Sequence, residues 1–598
     1  MTYNAIFLIL SVVFCVSGIL FSLFLSRSGG RRKHFINPMN SVFFGIFTAS
    51  VLLFIPIYGN SFGDGAGTVK TILASIHNTL RMFVLDGEFN IIEESIQGFM
   101  PRLGTVYSLW AAFLHVFAPV LTFSFVLSFF KNLSAYRKYL FCFKRDAYIF
   151  SVLNERVIIL AESIRQIHPK AAIVFTDVKS GSIADEFNKR AADVGAICFK
   201  KCIDAVNLTV HSKNAQMVFF MMGDDDSDNT ESTLSVIKTY KQRKNTRLYI
   251  FSERIETEML MLPATEGDTE IKVFRVHETQ SMVFNLLYQH SIFANAAETA
   301  TGEKSISAII IGMGEVGIEL LKALCWCGQM DGYRLIIHIF DKSETAETKF
   351  TAECPELMAY NRADKPGEPY YDITFHSPVD YRTFLFTEQI KKIKNVTSVF
   401  ISAGTDESNI DIALNIRALL EQAGSYPDIF ALVRNPQKAE LISNHGLRNF
   451  KNQNFDITVF GDLKSQYSYD SVMRSKLERE ALKLHLRWGA ESDFYKFEFN
   501  YRSSMALAIH AKWRKECNIS EKSLPELEHK RWNAYMRSIG YIYSGCHDKA
   551  SRNDRAKMHH DLIPFGALNA EEAYKDIAMT QKKTENKSII NHGGLNDV

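Results

Sequence analysis

Three long runs of apolar residues lie within the first 130 positions of the chain. They cover residues 5–25, 41–58 and 105–130 and contain no Asp, Glu, Lys or Arg. A helix rises about 1.5 Å per residue, so about 20 apolar residues cross the roughly 30 Å hydrocarbon core of a bilayer. The pattern predicts a transmembrane domain over residues 1–146 with three membrane-spanning helices, and a lipid bilayer as partner.

Basic residues flank these runs unevenly. Four lysines and arginines lie within residues 26–40 and five within 131–145, whereas the connection 59–104 carries more acidic than basic residues. Because positively charged loops stay in the cytoplasm, we expect a multi-pass protein of the inner membrane. Its amino terminus lies outside and everything after residue 131 lies in the cytoplasm. We exclude a signal peptide, because the basic residues follow the first run instead of preceding it.

The outer connection contains one further helical pattern, over Val69–Leu85, after the glycine-rich residues 61–67. Its apolar residues recur at helical spacing. Two interpretations stay open for it: a re-entrant helix that lines a pore, or an amphipathic helix that lies on the outer leaflet.

Beyond the membrane block, apolar strands alternate with helical patterns, and the pattern occurs twice. Residues 217–229 (MVFFMMGDDDSDN) parallel 398–409 (SVFISAGTDESN), and Arg254 parallels Arg434 at the same offset. A duplicated strand–helix unit predicts two tandem doubly wound parallel-sheet domains of the α/β class, over 147–300 and 301–500. The second copy carries an insertion, which we place in a loop at 344–369 because of its prolines.

The second copy contains a glycine turn between a strand and a helix. GMGEVG supplies Gly312, Gly314 and Gly317, and the following strand ends at Asp341. In a dinucleotide-binding fold such glycines allow a tight turn, a close approach of phosphate and tight helix packing, while the acid takes the ribose hydroxyls. We therefore predict a nucleotide site at these four residues.

The first copy reads SVLNER at the equivalent place, where Leu153 and Arg156 replace small residues. We expect this half to have kept the fold and lost the ligand.

The acidic run Asp224–Asp226 has two interpretations, a divalent cation site or a solvated loop after a strand. The close cysteine pairs lack a second pair at zinc spacing, so we expect reduced, buried thiols and predict no metal site.

These tandem copies resemble the RCK/TrkA-N domains, through the glycine turn and through the strand–(G/T)DxxxN–helix element. The resemblance covers about 330 residues and implies Rossmann-like domains that bind nucleotides or ions and regulate potassium channels and transporters. It implies a small nucleotide ligand, with NAD(H), ATP or a cyclic or oligonucleotide signal as the alternatives.

A compact segment follows, for which we predict a small, mainly helical domain over 501–580 and a disordered tail over 581–598. The segment resembles the ryanodine-receptor repeat (RyR) domain. The residues that fall on the family pattern are Trp532, Gly540, Tyr541, Tyr543, Lys557, His559, Leu562, Pro564 and Phe565. His560 stands where the family has proline.

The RyR resemblance implies that this domain senses a nucleotide-derived signal. Aromatic rings beside cations can stack a base and bind phosphate. The ligand candidates are Arg531, Trp532, Tyr541, Tyr543, Lys557 and His559. The alternative is that the aromatic residues form the core of a small domain.

Composition narrows the function. The formal net charge is only +2, so we expect no binding to DNA or RNA duplexes. No nucleophile–base–acid constellation stands out, so we expect no enzyme.

We expect a nucleotide sensor that gates a transmembrane pore, built as a homo-oligomer because three helices are too few to line a pore. The resemblance suggests a role in bacterial anti-phage defence. The alternatives are a regulator of potassium flux that binds NAD(H) or ATP, and a membrane-anchored enzyme that uses NAD.

Overall fold

The computed structural model divides the chain into two compact units, residues 1–141 and 142–598. The residues it describes are 3–27, 38–59, 67–87, 89, 92, 104–179, 182–266, 269–298, 302–361, 371–473, 475–496 and 498–580. The predicted tail at 581–598 and most of the basic stretch at 26–40 lie outside these residues.

Four long helices form the first unit. They are α1 (Tyr3–Arg27), α2 (Pro38–Gly59), α3 (Gly67–Phe83) and α4 (Gly104–Phe141). Three stretches, Asn4–Ser22, Ser41–Gly59 and Gly104–Phe123, are long and apolar enough to cross a membrane. The predicted three apolar helices are confirmed, and they are compatible with a membrane protein. Which end faces the cytoplasm stays a prediction.

Helix α3 turns its polar side inward. Ser75, Asn78 and Thr79 are buried, and Asn78 hydrogen-bonds the Tyr58 hydroxyl of α2. Val69 and Leu73, by contrast, are 63% and 61% exposed. A helix on a bilayer surface does the opposite, since its polar face meets water. The predicted helix is therefore present, and its burial does not fit the surface interpretation.

The second unit begins with a six-stranded parallel sheet in the order β3-β2-β1-β4-β5-β6. Its elements are β1 (Ala147–Phe150), α5 (Glu155–Ile167), β2 (Ala172–Phe175), α6 (Ser182–Asp193), β3 (Ile197–Cys198), β4 (Met217–Met221), α7 (Asp226–Tyr240), β5 (Thr246–Phe251), α8 (Ile255–Ala264), β6 (Lys272–Val276) and α9 (Glu278–Gln289). Strands β1, β2 and β4 are buried at every residue. Continuous apolar strands of this kind need helices on both faces of the sheet.

A second sheet repeats this order as β10-β9-β8-β11-β12-β13, with β7 pairing antiparallel to β8. Its elements are β7 (Ala297–Glu298), β8 (Lys304–Ile311), α10 (Glu315–Cys327), β9 (Tyr333–Phe340), α11 (Ala346–Glu353), α12 (Pro355–Ala359), β10 (Asp372–His376), α13 (Phe384–Lys392), β11 (Ser398–Ile401), α14 (Asp406–Gln422), β12 (Asp428–Leu432), α15 (Pro436–His445) and β13 (Ile457–Phe460). The predicted pair of Rossmann-like parallel sheets is confirmed.

Matched hydrogen bonds extend the duplication to single side chains. The amide oxygen of Asn229 accepts the Gly223 N–H at 2.7 Å, and its nitrogen donates to the Phe251 carbonyl at 3.0 Å. Asn409 accepts the Ala403 N–H at 2.8 Å and donates to the Leu432 carbonyl at 2.9 Å. In both copies one asparagine thus joins the loops after two neighbouring strands.

The insertion in the second copy is not all loop, contrary to the sequence interpretation of 344–369. It contains α11 and α12, because Phe350 and Leu357 are buried in the core and Pro355 occupies the first turn of α12, where its missing N–H costs nothing. Residues 362–370 lie outside the described part.

Helices that neighbour one sheet in the chain pack against the other sheet. The division between the two hydrophobic cores therefore does not fall at residue 300, where the sequence places the domain boundary. Helix α9 follows the first sheet in the chain but packs on α10 in the core of the second. After β13, α16 (Leu463–Gln466) and α17 (Tyr469–Met473) return to pack on α5 of the first sheet. The core of the second sheet therefore includes a helix that follows the first sheet in the chain, and the core of the first sheet includes residues that follow the second.

The remaining elements are mostly helical. They are α18 (Lys476–His485), α19 (Glu491–Lys496), α20 (Glu498–Glu516), α21 (Leu524–Ser538), β14 (Ile542–Tyr543), β15 (Met558–His559) and α22 (Ala570–Thr580). Helix α21 packs on α10, where Tyr535 meets Trp326 edge-on with ring centroids 6.3 Å apart. The segment from α21 to α22, called the terminal module below, therefore shares the core of the second sheet.

Candidate functional site

The second sheet reverses its strand order between β8 and β11, and the predicted glycine turn lies at that point. Ligands of open α/β sheets bind outside the carboxyl ends of the strands at such a switch point. Gly312 adopts φ +96°, and an added Cβ there would stand 2.7 Å from the Ser402 carbonyl oxygen. A Cβ on Gly317 would stand 1.9 Å from the Gly312 carbonyl oxygen. Only glycine fits these two positions as the backbone stands.

Gly314 begins helix α10 in an open position. A Cβ there would meet nothing within 4 Å, and among the described residues no side chain caps this helix. Its first N–H groups therefore carry the positive end of the helix dipole without an internal partner. Asp341 joins the turn from β9, since its carboxylate accepts the N–H groups of Met313 and Ser343, both at 2.7 Å. The fold thus brings all four predicted residues together.

The same crevice in the first copy holds the side chain of Arg156. The helix caps align Asn154 with Gly314, so Arg156 stands where the second copy has Val316, one position away from the equivalence with Gly317 that the sequence suggests. Its guanidinium donates to Asp224 at 2.8 Å, to Glu278 at 3.0 Å and to the carbonyl of Gly223 at 3.3 Å. Asn154 caps helix α5 through the Val157 N–H. The crevice of this copy is closed by the protein itself.

The acidic run Asp224–Asp226 is committed to protein contacts. Asp225 caps α7 by accepting the N–H groups of Ser227 and Asp228. Asp226 accepts the Ser252 hydroxyl at 3.0 Å, and Asp224 pairs with Arg156. These contacts give no support to a cation at this run.

Arg531, a predicted ligand contact, lies in the protein core. It is 1% exposed, and its guanidinium donates twice to Glu528, at 2.8 and 3.0 Å. Glu528 also accepts from Arg514 at 3.1 Å. Burial and these charge partners leave Arg531 no path to a ligand, so we withdraw it from the candidate site.

The other candidates of the terminal module do gather at one place. The His559 ring meets Trp532 edge-on at 5.0 Å, and Tyr543 of β14 pairs with His559 of β15. Burial, with a smaller contribution from Arg552, lowers the pKa of His559 to about 3. His559 is therefore a neutral member of this cluster instead of a phosphate-binding cation.

Two candidates remain at the surface of the module. Lys557 is exposed, with φ +50°, and its ammonium donates to the Ile539 carbonyl at 2.8 Å. The Tyr541 hydroxyl donates to Asp554 at 3.1 Å. An exposed lysine beside half-buried aromatic rings still fits a surface that stacks a base and binds a phosphate. Among the predicted contacts, Lys557 is the cation that remains available for the phosphate.

Sequence reasoning missed a cavity of about 120 Å³ whose lining combines apolar and charged side chains, from elements that include β5, β6, α8, α9, α18 and α20. Inside it, Arg275 pairs with Glu498 at 2.7 Å, and Arg502 bonds both Glu498 and Gln280. Burial raises the pKa of Glu258 and of Glu478 to about 7. No local signal predicts this site, since its residues come from segments more than 200 positions apart.

This cavity is connected to the helix of the glycine turn. Gln280 donates to Glu319 of α10 at 3.2 Å, and Glu319 accepts from Lys322 at 3.0 Å. Lys322 also bonds Glu353, whose carbonyl oxygen lies near Gly540 of the terminal module. A chain of polar contacts therefore runs from the cavity through α10 to Glu353 of α11.

No protein-family model matches the chain, and no curated protein matches it. The RCK/TrkA-N and RyR resemblances therefore stay predictions, and the function has to be argued from the site.

Proposed function

We propose that the protein is a membrane-anchored nucleotide sensor that acts on the membrane. A nucleotide-derived signal binds at the Gly312–Gly317 turn, with Asp341 at the ribose. Binding then shifts the helices of residues 1–141, in an oligomer, between a closed and a conducting state. A ligand drives such a change only by binding one state more tightly than the other.

The observation that carries this proposal is the contrast between the two copies. They share strand order and matched asparagine contacts, yet Arg156 and the capping Asn154 lie in the first crevice, whereas Val316 and the uncapped Gly314 stand at these positions in the second. In the second copy a capping side chain is missing among the described residues at α10, so its N–H groups favour an anion such as phosphate. Three apolar helices in the same chain supply the effector.

The polar contacts around α10 support a route for the signal. Glu319 and Lys322, on the outer turns of α10, link this helix to Gln280 of α9 and to Glu353 of α11. Nucleotide binding at the start of α10 acts on a helix that contacts both α9 and α21 of the terminal module. The terminal module, with Trp532 and Lys557, is the second place where a base and a phosphate could bind.

The variant Gly314→Asp tests the site. The backbone at Gly314 has φ −71° and ψ −172°, which any residue adopts, and a Cβ there meets nothing within 4 Å. Aspartate is a good helix cap, so the fold stays intact or gains a few tenths of a kcal/mol. Its carboxylate repels phosphate from the same N–H groups. We expect the variant to fold normally and to lose nucleotide binding.

The measurement is the unfolding temperature of the full chain in detergent, with NAD⁺, NADH, ATP and cyclic di- and oligonucleotides. A ligand at about 100 times its Kd stabilises the folded state by roughly 2.7 kcal/mol. Gly566→Asp is the control, because Gly566 is equally open but lies in the terminal module. An unchanged ligand-induced shift in Gly314→Asp, or no shift by any of these compounds in the native chain, refutes the proposal.

A further inference from the structure

Three consecutive residues of the terminal module, His559, His560 and Asp561, form a buried cluster of possible metal ligands. One nitrogen of each histidine and one oxygen of the aspartate lie within 4.8 Å of one another. His560 is 3% exposed and Asp561 is 5% exposed. The cluster lies where β15 ends, and it faces the loop at 544–552 and helix α22.

Polar atoms of this cluster lack hydrogen-bond partners. Within the described residues, neither ring nitrogen of His560 has one, and the same holds for Oδ1 of Asp561. His560 Nε2 and Asp561 Oδ1 stand 3.3 Å apart without forming a hydrogen bond of acceptable geometry. A buried polar atom without a partner costs about 1–3 kcal/mol, so native proteins rarely leave several in one place.

The surroundings supply another imidazole and another carboxylate. His547 Nδ1 lies 3.8 Å from Asp561 Oδ1, and the His547 side chain is 30% exposed. Glu572 of α22 is buried beside Asp561 and pairs with Lys575 at 2.6 Å. Asp561 and Glu572 therefore have Lys575 as their neighbouring lysine.

We propose that this cluster binds one divalent transition-metal ion, zinc being the best match, through His559, His560 and Asp561. Imidazole nitrogen suits zinc and its neighbours, and two imidazoles with one carboxylate are a known zinc ligand type. Ligands about 2.1 Å from a tetrahedral ion stand about 3.4 Å apart. The 3.3 Å between His560 and Asp561 matches that spacing. His547 lies on the side that faces solvent and is the nearest further nitrogen.

His559 already uses one nitrogen, since its Nδ1 accepts the N–H of Asp561 at 3.1 Å. Its Nε2 is the nitrogen that remains for the ion in this arrangement of the ring. The His559 ring lies flat on the His560 ring, with centroids 4.8 Å apart and planes 6° from parallel, so the two imidazoles are immediate neighbours.

The position of the cluster indicates a structural role for the ion. Between α21 and α22 the regular structure consists of two strands of two residues each and short 3₁₀ turns. Small segments with little regular structure are commonly held by a metal or by disulfides. An ion at this cluster fixes β15 and, through the Asp561–Glu572 contact, α22.

The competing arrangement is a proton shared by Asp561 and Glu572, which balances the charge without a metal. The two arrangements predict different results for the full chain, purified in detergent with a tag that contains no histidine. We expect about one zinc per chain by elemental analysis, and visible absorption typical of tetrahedral cobalt after exchange with Co²⁺. Chelator treatment should lower the unfolding temperature, and added Zn²⁺ should restore it.

Two variants and one control assign the ligands. His560→Gln and Asp561→Asn should lose metal affinity more than about tenfold, while His445→Gln, at an exposed position on α15, keeps the full content. The chelator experiment on the native chain is informative even if a variant does not fold. The proposal is overturned if the native chain binds no Zn²⁺ or Co²⁺ when saturated with either, or if both variants keep native metal content.

Discussion

At the scale of single residues, the buried cluster of Arg514, Glu528 and Arg531 shows why Arg531 misled the sequence interpretation. The spacing of Glu528, Arg531 and Tyr535 correctly places them on one helical face. Helix α21 is buried on nearly all sides, however, so that face lies in the core. Charged residues this deeply buried are rare unless they are paired, and periodicity alone does not reveal the pairing.

The variant Glu528→Gln tests this cluster. Glu528 is fully buried, and its loss leaves two buried guanidinium groups without a counter-charge. Removing one member of a buried ion pair costs about 3–5 kcal/mol, and we expect a loss of free energy of unfolding in that range. Denaturant titration of the full chain measures it. Glu526→Gln, at an exposed position on the same helix, should change it by less than about 0.5 kcal/mol. Equal effects of the two variants would contradict the assignment.

At the scale of elements, the duplicated strand–turn–helix unit is the part of the fold that the sequence predicts best. Glycine spacing, apolar strands and the repeated asparagine are local signals, and both sheets follow from them. The exchange of α9 and α17 between the sheets has no local signal. The apolar pattern predicts that each helix buries one face, but it does not predict which sheet that face packs against. The cavity that Arg275 and Glu498 line was missed for the same reason.

Helices α3, α11 and α12 show two further limits of sequence patterns. The helical spacing in α3 is real, but its apolar side faces outward, because lipid and protein interior attract apolar residues alike. The insertion at 344–369 looks polar enough for a loop, yet single apolar residues such as Phe350 suffice to anchor a short helix. Amino-acid composition therefore predicts neither which side of α3 is buried nor that residues 344–369 contain helices.

Asn229 and Asn409 provide a test of the duplication. Each side chain accepts one hydrogen bond and donates one within its own sheet, and Asn229 also donates to the Gly223 carbonyl at 2.9 Å. At about 1 kcal/mol per bond, Asn229→Ala and Asn409→Ala should each lower the free energy of unfolding by about 2–3 kcal/mol. Asn444→Ala, at an exposed helical position, is the control. The asparagines are not equivalent if one substitution costs several times more than the other.

At the scale of the whole molecule, the two units have separate cores. Among the described residues, the hydrophobic clusters of the sheets contain no residue from the first 141, and the cluster of the helices contains none beyond them. We expect residues 142–598 to fold without the first unit and to stay in solution without detergent. The intact chain should sediment with membranes and resist extraction by alkaline carbonate. Fractionation followed by circular dichroism of the shortened chain checks both expectations, and a soluble intact chain would remove the basis of the membrane proposal.

Under the proposed function, the arginine that fills the first crevice also limits how many of the two sheets can bind a nucleotide. A guanidinium tethered a few bonds from its pocket is present there at an effective concentration of about millimolar or more. A free nucleotide competes poorly against such a built-in occupant, which is held by Asp224 and Glu278. On the proposed function we therefore expect one nucleotide for each pair of sheets, bound at the second sheet, because Arg156 occupies the first crevice from the moment of folding.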